Sequence, residues 1–282
     1  MQLYKTSKGN LLSFNGQMYQ NNHDWDTLVN QDDLYAHLIS LLPVSDRLTD
    51  KAFNETIEQH LLPPVGTQEL WAAGVTYLRS RDARMEESKQ SGGADFYQKV
   101  YEAERPELFF KALPHRIVGH GTEVYIRKDS TWNVPEPELT LFINSAGNIQ
   151  AYTIGNDMSS RSIEGENPLY LPQAKSYEKS AALGPCLYVT KQPISPETSI
   201  SINISRNNTI MFEGSIQVNR MKRSLPELAG YLYKECDFAT GALLMTGTGI
   251  VPPDNFTLLV GDSISISIEN IGTLTNTVAQ KK

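Results

Sequence analysis

The chain has 282 residues, 40% of them apolar and 20% charged, with a formal net charge of −7. That length allows one large domain, or a large and a small one. An acidic balance with no long basic block argues against a nucleic-acid backbone or an anionic membrane surface as partner. No apolar run approaches the roughly 18 residues of a spanning helix. The N-terminal Met-Gln-Leu-Tyr-Lys-Thr lacks the charged and apolar regions of a secretory signal. Cys186 and Cys236 are isolated, with no Cys-x-x-Cys, and read as two buried, reduced thiols. A cytoplasmic protein is expected.

In chain order, residues 11–14 and 17–19 flank Asn15-Gly16, a two-residue hairpin signal. Residues 32–42 carry Leu34, Leu38 and Leu41 at helical spacing, and residues 46–60 suggest a second helix. Leu61-Leu-Pro-Pro-Val-Gly66 punctuates the chain, giving a small N-terminal α/β domain (1–65) and a larger catalytic domain (66–282). Residues 70–77 read as a buried strand. Residues 79–104 are highly charged and broken by Ser91-Gly-Gly93, which suggests two helices around a flexible joint. Such a segment fits either a solvated helical face or a mobile flap over a site. From Leu108 onward period-two strands dominate, at 139–143, 149–154, 200–204, 210–218 and 264–268. Residues 225–236 form the one later stretch with a helical pattern. The expected fold class is α+β, mainly β.

The chemistry concentrates in Val134-Pro-Glu-Pro-Glu-Leu139 and Ile154-Gly-Asn-Asp-Met158. Residues two apart on a strand share a face, about 6.6 Å apart, so Glu136 and Glu138 can lean toward one point. The turn at 144–148 has Ala146-Gly147 as its tip. Pairing outward from it sets Asp157 opposite Glu136 and Gly155 opposite Glu138, where a glycine leaves room for a ligand. Three converging carboxylates repel one another unless a hard cation sits among them. Oxygen donors without His or Cys suit Mg²⁺, Mn²⁺ or Ca²⁺ rather than zinc. Taken alone, Glu-x-Glu is more often a solvated pair, and Pro137 suits an edge strand, so geometry leaves both readings open. Glu107 stands between Pro106 and an apolar Leu-Phe-Phe run, either as a proton carrier or as a salt-bridge partner of Arg105 or Lys111. Arg79, Ser80 and Arg81 fit either a substrate's carboxylate and hydroxyls or plain helix-surface polarity. Thr246-Gly-Thr-Gly249 lacks the spacing of a dinucleotide or phosphate loop.

Arg105-Pro-Glu-Leu-Phe-Phe-Lys111, Pro135-Glu-Pro-Glu-Leu139, Tyr152-Thr-Ile-Gly-Asn-Asp157, Thr246-Gly-Thr248 and Gly272-Thr-Leu-Thr-Asn-Thr-Val278 occur in that order. Together they resemble the fumarylacetoacetate hydrolase superfamily over about residues 62–282. The resemblance implies a β-roll of mixed sheets, Mg²⁺ held by Glu136, Glu138 and Asp157, and a homodimer. It also matches Lys175 to an active-site lysine and Thr248 to a substrate contact. The segment from Ser159 to Lys175, with Thr76-Tyr-Leu-Arg-Ser-Arg81, is similar to the branch that dehydrates 2-keto-3-deoxy-D-arabinonate. Where the family's C–C hydrolases carry a water-activating histidine this chain has Ser80, and where some members add an aspartate ligand it has Thr76. The expected activity is therefore a Mg²⁺-dependent dehydratase of a small 2-keto-3-deoxy sugar acid, forming 2,5-dioxopentanoate. The rivals are an acylpyruvate or diketo-acid hydrolase and a non-catalytic metal- or ligand-binding protein.

Overall fold

The computed structural model describes residues 1–87 and 94–282, so the expected joint at Ser91-Gly-Gly93 lies outside the described residues. Three antiparallel strands open the chain: β1 (Gln2–Thr6), β2 (Gly9–Phe14) and β3 (Gln17–Asn21). Asn15 and Gly16 join the last two with φ of 51° and 71°, the paired left-handed conformation that a tight hairpin turn requires. Helices α1 (Trp25–Val29) and α2 (Leu34–Leu41) follow, then β4 (Asp46–Leu48) and α3 (Asp50–His60). The side chains of Asp24, Asp33 and Thr49 cap these three helices by accepting backbone N–H groups. The Thr49 cap starts α3 four residues later than the sequence pattern suggested, and residues 46–48 pair with β3 instead.

The larger part runs through β5 (Glu69–Gly74), α4 (Leu78–Glu87), α5 (Ala94–Glu102), β6 (Glu107–Ala112), β7 (Ile117–Val118) and β8 (Glu123–Ile126). Two long central strands, β9 (Asn133–Ile143) and β10 (Ile149–Ser160), are followed by the short helices α6 (Arg161–Glu166) and α7 (Leu171–Lys175). Then come β11 (Ala181–Tyr188), β12 (Ser199–Arg206), β13 (Thr209–Gln217), α8 (Leu225–Leu232), β14 (Ala242–Met245), β15 (Ser263–Ile268) and β16 (Gly272–Gln280). Ser224 and Glu227 close a capping box at the start of α8, which ends four residues before the expected Cys236. Cys236 therefore falls in the loop beyond and is exposed; only Cys186 is a buried thiol.

An eleven-stranded mixed sheet has the order β4-β3-β2-β1-β11-β10-β9-β14-β5-β6, with β7 beside β11. The pairing of β1 with β11 makes the N-terminal strands part of that sheet. A five-stranded sheet, β13-β12-β15-β16-β8, packs on one face. Leu139, Leu141 and Ile154 meet Ile202, Ile204, Ile264 and Ile266 between the two sheets. The other face carries a second core, where Phe142, Leu183 and Leu243 meet Leu28, Leu34 and Leu38 of the N-terminal helices. The alternation of β9 thus assigns Leu139 and Leu141 to one core and Glu136, Glu138 and Phe142 to the opposite face. Among the described residues no helix is long and apolar enough to cross a membrane.

Candidate metal centre and active site

β9 and β10 pair with Asp157 opposite Glu136 and Gly155 opposite Glu138, the register expected from the turn tip. All three carboxylates are buried, and each offers an oxygen within 4.8 Å of the others. Gly155 is required here, since a Cβ would collide with the Thr140 hydroxyl and the Met245 side chain. β14 pairs with β9 only at residues 140–143, so Pro137 lies on a stretch laddered to β10 alone, as an edge-tolerant proline requires, but it is buried rather than solvated. The donor set is all oxygen, compact and buried, which fits a hard divalent cation.

The surrounding charges are unevenly shared. Lys175 Nζ bonds both Glu136 and Asp157 Oδ2, the latter at 3.0 Å. Arg161 reaches Glu136 Oε1 at 2.5 Å, and Arg84 lies 3.6 Å from the same oxygen. Burial alone would raise the Glu136 carboxyl, but Lys175, Arg161 and Arg84 outweigh it and hold it well below the usual range. Glu138 accepts the Gly247 N–H at 2.5 Å, and among the described residues no lysine or arginine pairs with it. Burial, then Asp157 and Glu136, push its carboxyl well above the usual value. A negative site that must either take up a proton or find a cation is the electrostatic signature of a metal pocket.

β6 delivers a further set of groups. Glu107 faces Gly74 across the β5–β6 pair, and a Cβ at Gly74 would strike its carboxylate. Desolvation raises the Glu107 carboxyl, with Arg84 and Lys175 opposing. Lys175 Nζ lies 5.9 Å above the Phe109 ring, between the strand and the acids. Lys111 is fully buried, and its Nζ is 2.7 Å from Asp157 Oδ1. Behind Arg84 and Arg161, Glu164 completes a buried network by pairing with both and accepting the Ser159 hydroxyl.

Glu136, Glu138, Asp157, Lys175 and Glu107 are therefore brought together. The α4 candidates divide. Ser80 is buried, but its hydroxyl donates to the Tyr77 carbonyl at 2.8 Å. Arg79 is exposed, and Arg81 pairs with Asp82 at 2.6 Å and stacks over Tyr101. Arg84 reaches the acids instead. It is four residues beyond Ser80 and so on the same helical face, a signal present in the sequence. Thr248 is buried with its hydroxyl exchanging bonds with Ile250, while its neighbour Gly247 contacts Glu138. Val75 enters this region with φ of 53°, a conformation that is strained for a β-branched residue and concentrates at functional sites. Arg84, Arg161 and Glu164 were not singled out from the sequence, and Lys111 was read only as a possible partner of Glu107 whereas it pairs with Asp157; Lys111, Arg161 and Glu164 lie inside the quoted motifs.

Residues 82–279 match the family profile described as fumarylacetoacetate (FAA) hydrolase C-terminal. The chain belongs to the fumarylacetoacetate hydrolase family. Within that family it is 45% identical over 232 residues to a Haloferax volcanii protein named "Probable 2-keto-3-deoxyxylonate dehydratase", covering 82% of this chain and 78% of the relative. It is 41% identical over 221 residues to the 2-dehydro-3-deoxy-D-arabinonate dehydratase of Saccharolobus solfataricus, covering 78% and 74%. A solved structure of 2-keto-3-deoxy-D-arabinonate dehydratase complexed with magnesium and 2,5-dioxopentanoate superposes over 100% of both chains, with TM-score 0.83 and 32% identity. The mainly β architecture of mixed sheets is thus a fumarylacetoacetate hydrolase fold.

Proposed function

We propose that this chain is a Mg²⁺-dependent hydro-lyase converting a 2-keto-3-deoxypentonate to 2,5-dioxopentanoate and water. The observation that carries the reading is the buried cluster of Glu136, Glu138 and Asp157 flanked by Lys175 and Glu107, with no histidine buried anywhere in the described chain. The names of the two relatives agree chemically. Oxidation at C2 and deoxygenation at C3 erase the centres that distinguish xylonate from arabinonate, so within one stereochemical series the two names denote one compound.

Glu136, Glu138 and Asp157 would hold the Mg²⁺, which supplies Lewis-acid polarisation of the substrate's 2-oxo group and so acidifies the C3 hydrogen. Dehydration requires a proton to leave C3 while the C4 hydroxyl departs as water, taking a proton from an acid. A proton then leaves C5, protons are placed at C3 and C4, and the C5 enol becomes the aldehyde. We assign the two transfer positions to Glu107 and Lys175. Glu107, whose carboxyl is raised by desolvation with Arg84 and Lys175 opposing, takes the donor role at the C4 hydroxyl. Lys175, fully buried between Glu136 and Asp157, takes the C3 side. Arg84 and Arg161 anchor Glu136 and supply positive charge beside the site of an anionic substrate. Arg79, Ser80, Arg81 and Thr248 remain candidates for substrate contact at the rim. Ser80, bonded back to Tyr77, favours dehydration over hydrolysis, since no imidazole stands there to activate water.

The proposal extends to a homodimer in the cytoplasm, with residues 66–282 as the catalytic unit and 1–65 as its N-terminal support. The test is to supply Mg²⁺ with a 2-keto-3-deoxypentonate, then with an acylpyruvate, and to follow product mass with and without chelator. Loss of one water from the first substrate is expected. Cleavage of the acylpyruvate with uptake of water, and no reaction of the sugar acid, would overturn the dehydratase reading in favour of the hydrolase.

A further inference from the structure

We infer that Lys111 is a positioning residue that fixes the Asp157 carboxylate and the Lys175 backbone relative to each other; this rests on the proposed cation site. A lysine with no exposed surface is rare, because the ammonium loses its hydration unless protein groups replace it. Here one carboxylate oxygen in ion-pair contact and two carbonyls that accept hydrogen bonds surround the ammonium. They are Asp157 Oδ1 at 2.7 Å, the Met158 carbonyl at 3.1 Å and the Lys175 carbonyl. The Tyr177 ring, 5.9 Å away, lies beside the same ammonium.

The backbone of β6 is shaped for this purpose. Its register with β5 slips at one point: Trp71 pairs with Phe110 and Leu70 with Ala112, leaving Lys111 as the extra residue of a bulge. A bulge re-aims a side chain out of strict alternation. The extra residue sends its side chain to Asp157, while Phe109 and Ala112 stay with the N-terminal core. One ammonium thereby ties two consecutive residues of β10 to the last residue of α7. α7 has only five residues, too few to hold its own geometry, so Lys175 depends on outside anchors of this kind. One oxygen of Asp157 is committed to Lys111, and Oδ2 is the oxygen that meets Lys175.

The sign of one measurement separates positioning from background charge. A cation beside a cation site repels the metal, so if Lys111 were only a nearby charge, removing it would tighten metal binding. Positioning makes the opposite prediction. Lys111→Met keeps the length and removes the donors. In Mn²⁺ titrations followed by electron paramagnetic resonance, the folded variant is expected to bind Mn²⁺ about 10–100-fold more weakly, with a broadened bound spectrum. With Mg²⁺ saturating, kcat should fall more than KM rises, because Lys175 is displaced. A lysine with a merely structural role would lower stability and leave the affinity of the folded fraction unchanged. Where Lys111→Met does not fold, Lys111→Gln, which retains a donor, carries the same test with a smaller loss. Affinity equal to or tighter than that of the unaltered protein overturns the inference. Unaltered protein that binds no Mn²⁺ overturns the cation site itself, a separate result.

Discussion

Replacing Glu138 by Gln should make the metal-free protein more stable and the metal-loaded protein less so. Unit charges 4.8 Å apart, the outer spacing of these carboxylate oxygens, repel by about 3.5 kcal/mol at an effective dielectric near 20. Lys175, Lys111 and Arg161 compensate Glu136 and Asp157, but none pairs with Glu138, whose carboxyl is raised by burial and by its two acidic neighbours. A raised carboxyl means that the folded protein holds a proton which the unfolded chain has released. Its contribution to stability is complete below the ordinary glutamate value of 4.5 and is lost as pH rises toward the folded value. The slope is about 1.4 kcal/mol per pH unit within that window. Between about pH 5 and about pH 7, metal-free protein should therefore lose stability relative to Glu138→Gln. Mg²⁺ reverses the order. At a concentration 100-fold above Kd it stabilises the unaltered protein by about 2.7 kcal/mol, or roughly 5–10 °C in Tm, and leaves the variant unchanged. Urea unfolding at the two pH values, with chelator and with Mg²⁺, measures all four quantities. Parallel pH slopes, or equal stabilisation of both proteins by Mg²⁺, would refute the reasoning.

Other perturbations separate the remaining parts. Gly74→Ala places a methyl group against the Glu107 carboxylate and should lower kcat about 100-fold with Mn²⁺ affinity unchanged; an unaltered kcat would detach Glu107 from the chemistry. Glu107→Gln should cost about 10²–10⁴-fold in kcat. If Glu107 acts protonated, activity is present below its raised value and falls as pH rises through it, and the pH–rate profile of the variant should lack that alkaline limb. Leu244→Ala, fully buried between the sheets, should cost about 2–5 kcal/mol by urea unfolding while the folded fraction keeps its metal affinity.

The convergence of the three carboxylates was legible because strand alternation and turn register meet there. Strand alternation put Glu136 and Glu138 on one face, and the Asn144–Asn148 turn fixed the pairing that brought Asp157 across. Asn15-Gly16 was readable for a similar reason, since few residues tolerate that backbone. Lys111 was not readable as a site residue, because the bulge that aims it breaks the alternation from which its direction would be inferred. Arg84 was passed over for Arg79 and Arg81 because nothing in a highly charged helix marks its buried face until Ser80 is placed. The short helices α6 and α7 carry too few residues, with Gly165 and Pro172 inside them, to leave a periodic trace. Cys236 is exposed against expectation because isolation in sequence argues against a disulfide or metal site but does not fix burial, and α8 ends at Leu232.

The location of the three acids on β9 and β10 has a further consequence. These two strands are the longest among the described residues and pair with each other along the whole stretch that carries the carboxylates; Asp157 is also backed by β11, while β14 joins β9 just beyond Glu138, at residues 140–143. The groups proposed for proton transfer and substrate charge lie elsewhere, on α4, on α6 and α7, and on the strand β6 at the margin of the sheet. The acids and their counter-charges thus come from different pieces of backbone that meet through Lys111, Lys175, Arg84 and Arg161. Recasting the margin would change the charge held beside the carboxylates, so substrate preference and cation affinity should shift together.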